Sequence, residues 1–330
     1  MRVLVTGGAG YIGSFMTKRL LDYGHEVVVF DSLERGYRNA VDTRAKFIQG
    51  DIKNPDSLEI LFGSQAIDAV MHFAGYISVE ESTKNPQMYH LNNTIGTENL
   101  LKAMIEFGQV DKFIFSSTAA VYGNPIKTPI PEDHPKNPTS PYGKSKLEVE
   151  EMLQIFGEEQ RLNFVSLRYF NAAGAAVDAS MGEAHEPETH IIPLGILAAL
   201  KGTEFSLYGT DYNTPDGTCV RDYIHVIDLV EAHILALNYL DREKGGFFYN
   251  VGVGRGYSNK EVIDMIKKVS GKDLKVKVEN RRAGDPQVLI ADATRIQREL
   301  GFNPNVSDLE TIVKTAFLWH QKSSKYEIVL

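Results

Sequence analysis

Near its N-terminus the chain is committed to one kind of fold. Arg2-Val3-Leu4-Val5-Thr6 is a short apolar run, and the loop Gly7-Gly8-Ala9-Gly10-Tyr11-Ile12-Gly13 follows at once. Residues 14–23 have helical spacing, with Phe15, Met16, Leu20 and Leu21 on one face, and a second apolar run over 26–30 ends in Asp31. Strand, glycine turn, helix, strand and acid, in that order, build a dinucleotide-binding βαβ unit.

The residue types fit that chemistry. A turn this tight needs backbone without Cβ, and a pyrophosphate approaches the main chain only where no side chain intervenes. Gly7, Gly10 and Gly13 meet both needs, and the positive end of the following helix favours phosphate. Asp31, with Ser32 beside it, stands roughly 20 residues beyond the loop and can accept from the adenosine ribose hydroxyls. Its charge would repel a 2′-phosphate, so NAD is expected over NADP, although Arg35 lies close enough to weaken that preference.

With 330 residues, 43% hydrophobic and 24% charged, the chain has room for one large α/β domain and a smaller one, and nothing in it suggests disorder. A net charge of −8 argues against nucleic acid or an anionic membrane as the main partner. Local arginines can still serve an anionic substrate. Cys219 is the only cysteine, so no intramolecular disulfide forms, and a reducing cytoplasm is the expected setting. Met1-Arg2 leads into a strand, and no apolar stretch approaches ~20 residues, so neither a signal peptide nor a membrane span is expected. No metal site is assigned.

Further along, residues 45–49 read as a strand followed by Gly50-Asp51-Ile52, whose acid and apolar side chain could hold an adenine amino group. A helix over 56–62 precedes a strand over 69–73 that ends at Ala74-Gly75, small enough for a cofactor to cross. Residues 86–107 carry Leu91, Ile95, Leu100, Leu101, Met104 and Ile105 at helical spacing, interrupted by Asn92 and Asn93. A strand over 112–115 ends in Ser116-Ser117-Thr118. A proline-rich loop then leads to Ser140-Pro141, a helix start. Phe170 closes a strand over 164–170. This alternation predicts an α/β, Rossmann-type, doubly wound parallel sheet over 1–172, with 222–251 returning to it. A smaller α/β domain over 173–221 and 252–330 is interleaved with it.

The stretch YGKSK carries the second chemical signal. Tyr142 and Lys146, four apart on a helix, share one face. A nearby ammonium stabilises a phenolate, and a cationic nicotinamide would do so further, which makes a tyrosine a usable general base near neutral pH. Thr118 could hydrogen-bond the same substrate hydroxyl.

These features together resemble the extended short-chain dehydrogenase/reductases and, within them, the UDP-glucose 4-epimerases. The likeness covers nearly the whole chain: HFAG at 72–75, FSSTAAVYG at 115–123, PYGKSK at 141–146, LRYFN at 167–171, YGTDYNTPDGTCVRDYIH at 208–225 and RRAGD at 281–285. The resemblance implies interconversion of UDP-galactose and UDP-glucose in galactose metabolism. In that reaction Tyr142 takes the 4-hydroxyl proton while NAD accepts hydride from C4. The 4-keto sugar then turns over, and hydride returns to its other face. By the same likeness Thr118 aligns the hydroxyl, and Lys146 holds the nicotinamide ribose. Gly7, Gly10, Tyr11, Ile12, Gly13, Asp31, Ser32, Asp51, Ile52, Phe73, Ala74, Gly75, Asn92, Ser116 and Phe170 line the cofactor. Asn171, His190, Ile191, Ser206, Leu207, Tyr208, Arg221, Arg282, Asp285 and Leu289 meet the nucleotide sugar. A homodimer through a four-helix bundle, built from the helices around 90–107 and 142–156, is also implied.

The chain departs from the family's pattern in places. Ile77 stands where some members carry a cofactor-binding lysine, and Thr189-His190 stands where many have asparagines, so His190 reads as a loop donor and not an acid. Leu289 is intermediate in size at the position beside the sugar C2 substituent and leaves tolerance of N-acetylated sugars open. A 4,6-dehydratase would need carboxylates after Thr118, where Ala119-Ala120 stand. A UDP-hexuronate or UDP-pentose 4-epimerase shares the same chemistry. A non-catalytic NAD-sensing protein has no reason to keep Thr118, Tyr142 and Lys146 together.

Overall fold

The computed structural model describes residues 1–160, 162–282 and 284–326. The chain divides into two compact units: Met1–Gly123, Lys136–Arg168 and Val230–Tyr249 form one, and Asn124–Pro135, Tyr169–Leu229 and Asn250–Leu330 the other.

The first unit is built on a seven-stranded sheet. Its strands are β1 (Arg2–Thr6), β2 (Glu26–Asp31), β3 (Lys46–Gln49), β4 (Ala69–His72), β5 (Lys112–Thr118), β6 (Asn163–Tyr169) and a last strand, Gly246–Val251. From that last strand the order runs β6-β5-β4-β1-β2-β3. β1 pairs in parallel with β2 and β4, as does β2 with β3 and β4 with β5. Unbroken apolar runs such as Val3-Leu4-Val5 suit strands covered on both faces, and all three side chains are inaccessible to solvent. The chain passes from strand to strand through helices α1 (Tyr11–Asp22), α2 (Pro55–Ser64), α3 (Val79–Lys84), α4 (Pro86–Tyr89), α5 (Gly96–Glu106) and α6 (Pro141–Gln160). Local chemistry sets their starts. Asn54 Oδ1 accepts from Asp56 N at 3.0 Å with Pro55 at the first position of α2, and Ser140 Oγ accepts from Gly143 N at 3.1 Å before α6.

The helix expected over 86–107 is not uniform. Between α4 and α5 the stretch His90–Ile95 widens into a π-helix. That extra residue per turn brings Asn92 and Asn93 into the interior, where both are buried. β5 also runs on through Ser116, Ser117 and Thr118, placing all three in the sheet.

The second unit departs from the sequence expectation in its sheet and in its bounds. The strand Val220–His225, expected to return to the main sheet as part of 222–251, instead pairs with Asn171–Ala173, Gly256–Ser258 and Val288–Leu289 in a separate four-stranded sheet. Its partners lie dozens of residues away, so the apolar pattern of the strand alone does not specify its sheet. The return to the first unit begins at Val230, and Asn124–Pro135 belongs to the second. Glu204–Tyr208 and Lys275–Glu279 form a two-stranded parallel ribbon. Helices α7 (Ile191–Lys201), Asn259–Ser270 and Leu309–Tyr326 enclose a core that includes Ile196, Phe205, Ile266 and Ile312. Among the described residues no helix is long and apolar enough to cross a membrane.

Candidate active site

β1 ends at Thr6, and Gly7 then takes φ +72°. A Cβ there would lie 2.4 Å from the Ala74 nitrogen, so glycine is what lets the first loop meet the end of β4. At Gly13 a Cβ would come 2.2 Å from the Gly7 carbonyl oxygen. Gly10 caps α1 without a side-chain oxygen, so no capping group screens the positive end of the helix dipole.

Asp31 is buried at the end of β2, where its carboxylate accepts from Ala9 N at 3.0 Å and Leu33 N at 2.8 Å. Burial raises its pKa, and these two N–H groups oppose the rise. Arg35 is not directed at this acid: it pairs with Glu81 at 2.7 Å and lies over the Tyr76 ring. The cation expected to weaken the NAD preference is thereby engaged elsewhere. Asp51 accepts from Lys53 N at 2.8 Å, and Ile52 is buried against Gly96, where a Cβ would lie 2.8 Å from Ile52 Cγ1. Phe73 packs 4.8 Å from the His233 ring, and Ala74 and Gly75 are half-buried beside it. The tight glycine turn, the anchored acid and the small residues after β4 fit a dinucleotide of the NAD type.

Tyr142, Lys146 and Glu150 follow one another at four-residue intervals along α6, and all three are buried. Burial raises the pKa of the Tyr142 hydroxyl, and the neighbouring Thr118 hydroxyl pulls it down. Thr118 Oγ1 also accepts from Ala120 N at 3.1 Å. Lys146 Nζ donates to the Ser116 carbonyl at 2.9 Å and sits 4.8 Å from the Phe115 ring centroid. Burial lowers its pKa to about 8, with Glu150 opposing the fall. The lysine is turned to β5 and the tyrosine to Thr118. Two of the three ammonium hydrogens remain for a ligand, and a Cβ on Gly75 would lie only 3.5 Å from Nζ.

In the second unit, Arg221 pairs with Asp285 and donates to the Val220 carbonyl at 2.9 Å. Leu289 lies opposite Arg221 in the parallel register of that sheet. Arg282 is stacked 4.1 Å over the Tyr208 ring. Asn171 Nδ2 donates to the Asp222 carbonyl at 2.9 Å. Phe170 is buried, its amide donating to the Val251 carbonyl. In the strand Glu204–Tyr208, Ser206 and Tyr208 share the more open face, whereas the Leu207 side chain is buried in the core cluster and could meet a ligand only through its backbone. His190 caps α7, Ile191 opens it, and the His190 ring faces Glu183 and Glu188.

The model of the NAD dependent epimerase/dehydratase family matches residues 3–252. This chain belongs to that family. Among its relatives is the UDP-glucose 4-epimerase of Lacticaseibacillus casei, 49% identical over 97% of each chain. The UDP-glucose 4-epimerase of Brucella ovis, solved in complex with NAD, is 44% identical with a TM-score of 0.93, covering 96% of this chain and 97% of that one. The enzyme from Bifidobacterium longum, solved with NAD+ and UDP, is 36% identical at a TM-score of 0.93, covering 98% and 99%.

Several buried polar residues of this epimerase/dehydratase fold carry no obvious signature in the sequence. Glu150 takes hydrogen bonds from Ser117 at 2.7 Å, Ser166 at 3.0 Å and Arg168 at 2.7 Å, and Arg168 reaches Tyr122 at 2.9 Å. Asn93 binds both backbone groups of Tyr76 and the Ser145 hydroxyl, tying the loop after β4 to α6. Asn92 donates to it. His72 bridges Thr6 at 2.7 Å and Thr97 at 2.8 Å, and burial drops its pKa to about 3, so it stays neutral. One local sign does exist: Glu150 is a carboxylate flanked by the core residues Val149 and Leu153, four residues beyond Lys146.

Proposed function

We propose that this protein is an NAD-dependent UDP-hexose 4-epimerase that interconverts UDP-galactose and UDP-glucose. The observation that carries the reading is the burial together of Thr118 at the end of β5 and of Tyr142 and Lys146, a phenol and an ammonium one turn apart on α6. The Gly7–Gly13 loop, Asp31, Asp51, Ile52, Phe73 and Lys146 would hold NAD, which when bound would supply reversible hydride acceptance at the sugar C4.

The chain's own residues do the rest. Thr118 aligns the sugar 4-hydroxyl with Tyr142, and Tyr142 removes its proton and later returns it. Its pKa is raised by burial, so the base form depends on positive charge brought close to it. Lys146 supplies part of that charge, and Glu150 helps keep Lys146 protonated. Arg221 and Arg282 can neutralise a diphosphate through charge-assisted hydrogen bonds. Asp285, now paired with Arg221, can accept from ribose hydroxyls. Restoring the proton and the hydride completes the cycle with no net redox change.

A homodimer belongs to the same proposal. Leu91 in the π-helical stretch and Ile155 on α6 are exposed apolar side chains, each a little over half accessible. They sit on the helices that the family resemblance puts in a bundle. Light scattering of the purified chain reads the assembly directly.

Incubation with UDP-galactose, with and without added NAD, tests the activity. UDP-glucose should form with no net NADH. Turnover of UDP-hexuronates or UDP-pentoses with none of UDP-galactose would transfer the assignment to the related epimerases.

A further inference from the structure

The segment 183–190 of the second unit gathers two glutamates and two histidines. One potential ligand atom from each of Glu183, His185, Glu188 and His190 lies within 4.8 Å of all the others. His185 Nδ1 is 2.9 Å from Glu183 Oε1 and 3.9 Å from Glu188 Oε2. His190 Nδ1 is 2.7 Å from Glu183 Oε1 and 2.9 Å from Glu188 Oε1. A ring nitrogen carries at most one hydrogen, yet His190 Nδ1 faces carboxylate oxygens of two glutamates. Two carboxylates and two imidazoles thus converge on one small volume.

These spacings are those of a small tetrahedral cation site. With zinc–ligand bonds of about 2.0–2.1 Å, ligand atoms are about 3.3 Å apart; the His–Glu contacts lie at 2.7–3.9 Å, the longest of them to the second Glu188 oxygen, and one atom from each of the four residues falls within 4.8 Å of the rest. The mixed imidazole and carboxylate set suits zinc; calcium and magnesium take oxygen ligands.

The surroundings hold the cluster in place. Thr189 N and His190 N both donate to Glu188 Oε1 at 2.7 Å. Trp319 Nε1 donates to the Glu183 carbonyl at 2.8 Å, and a Cβ on Gly182 would strike the Trp319 ring at 2.4 Å. An independent observation comes from the next residue in the chain. His320 is buried and its Nε2 has no hydrogen-bond partner among the described residues; burial lowers its pKa, and Glu183 and Glu188 oppose the fall.

We propose that Glu183, His185, Glu188 and His190 bind one zinc ion per chain, which clamps the segment leading into α7. The ion would fix His190 and Ile191 at the start of that helix. Its role is structural, since all four protein ligands are used and no position stays open for substrate.

Untagged full-length protein, stripped with a chelator, is titrated with Zn2+ against a chromophoric competitor, and separately with Co2+ while the visible spectrum is recorded. One ion per chain, intense bands of four-coordinate Co2+ and a zinc-dependent rise in Tm are expected. His185→Gln should weaken zinc binding at least about tenfold and remove the Tm rise. Glu183→Gln should behave alike, but Glu183 is buried, so the partly exposed His185 is the variant on which the test rests. Absence of zinc binding, a weak octahedral Co2+ spectrum, or an unchanged affinity in His185→Gln overturns the site.

Discussion

Two ion pairs, one from each unit, differ in how far they are buried. In the first, Glu150 and Arg168 are almost wholly inaccessible, with side-chain exposures of 1% and 2%, and Ser117, Ser166 and Tyr122 complete their hydrogen bonding. In the second, Arg282 is exposed over a tyrosine ring, and the Arg221–Asp285 pair is only partly buried. The difference matches the tasks assigned to each. Moving a proton at a fixed atom needs groups held rigidly where charge interactions are strong. Gripping a flexible diphosphate needs cations that remain reachable. A buried ion pair is not by itself a source of stability, because desolvation offsets the attraction. Its value is positional, since Glu150 links Lys146 on α6 to the end of β5.

Breaking the first region at its centre should have the largest effect. Tyr142→Phe should lower kcat by about 10²–10⁴-fold, the usual span of general acid–base catalysis, while NAD binding and fold persist. Steady-state kinetics together with NAD titration check it.

Next in size is Glu150→Ala, which leaves Arg168 charged and buried without its partner. A loss of about 3–5 kcal/mol is expected in denaturant unfolding. A variant as stable as the parent would show that the network is dispensable.

The second region should respond more mildly and in a different constant. Arg221→Ala removes a charge-assisted contact of about 1.5–3 kcal/mol, so KM for the UDP-sugar should rise roughly 10- to 150-fold with kcat less affected. A fall in kcat with unchanged KM would reverse the division of labour between the two units.

The last effect is one of pH. Burial lowers the Lys146 pKa from 10.5 to about 8, so its charge is lost as pH climbs through that value. NAD affinity should therefore weaken on the alkaline side. Stability should move the other way. A base whose folded pKa lies below its unfolded one disfavours folding while protonated, and that penalty fades as pH rises from about 8 towards 10.5. Affinity and stability measured across this window should diverge.

Much of the first unit is legible in the sequence because its signals are local. The glycine loop, the acid closing the next strand at Asp31 and the four-residue spacing of Tyr142 and Lys146 can each be read from a short stretch of the chain. What cannot be read depends on distant pairing. The sheet that takes Val220–His225 is chosen by partners at 171–173, 256–258 and 288–289. The π-helical stretch His90–Ile95 is visible only as two asparagines breaking an apolar pattern. Glu150 gains its meaning from Ser117, Ser166 and Arg168, of which two lie on a later strand. The pattern Glu183-x-His185-x-x-Glu188-x-His190 reads as a polar loop, because nothing in the spacing shows that four side chains fold back on one point.

The most direct test of the epimerase mechanism is turnover of UDP-galactose carrying deuterium at C4, run in ordinary water. Transfer of hydride from C4 and its return within one site predicts UDP-glucose with the deuterium still at C4 and none in solvent. Loss of the label to water would mean that C4 is deprotonated and reprotonated, which would contradict the proposed roles of Tyr142, Lys146 and NAD.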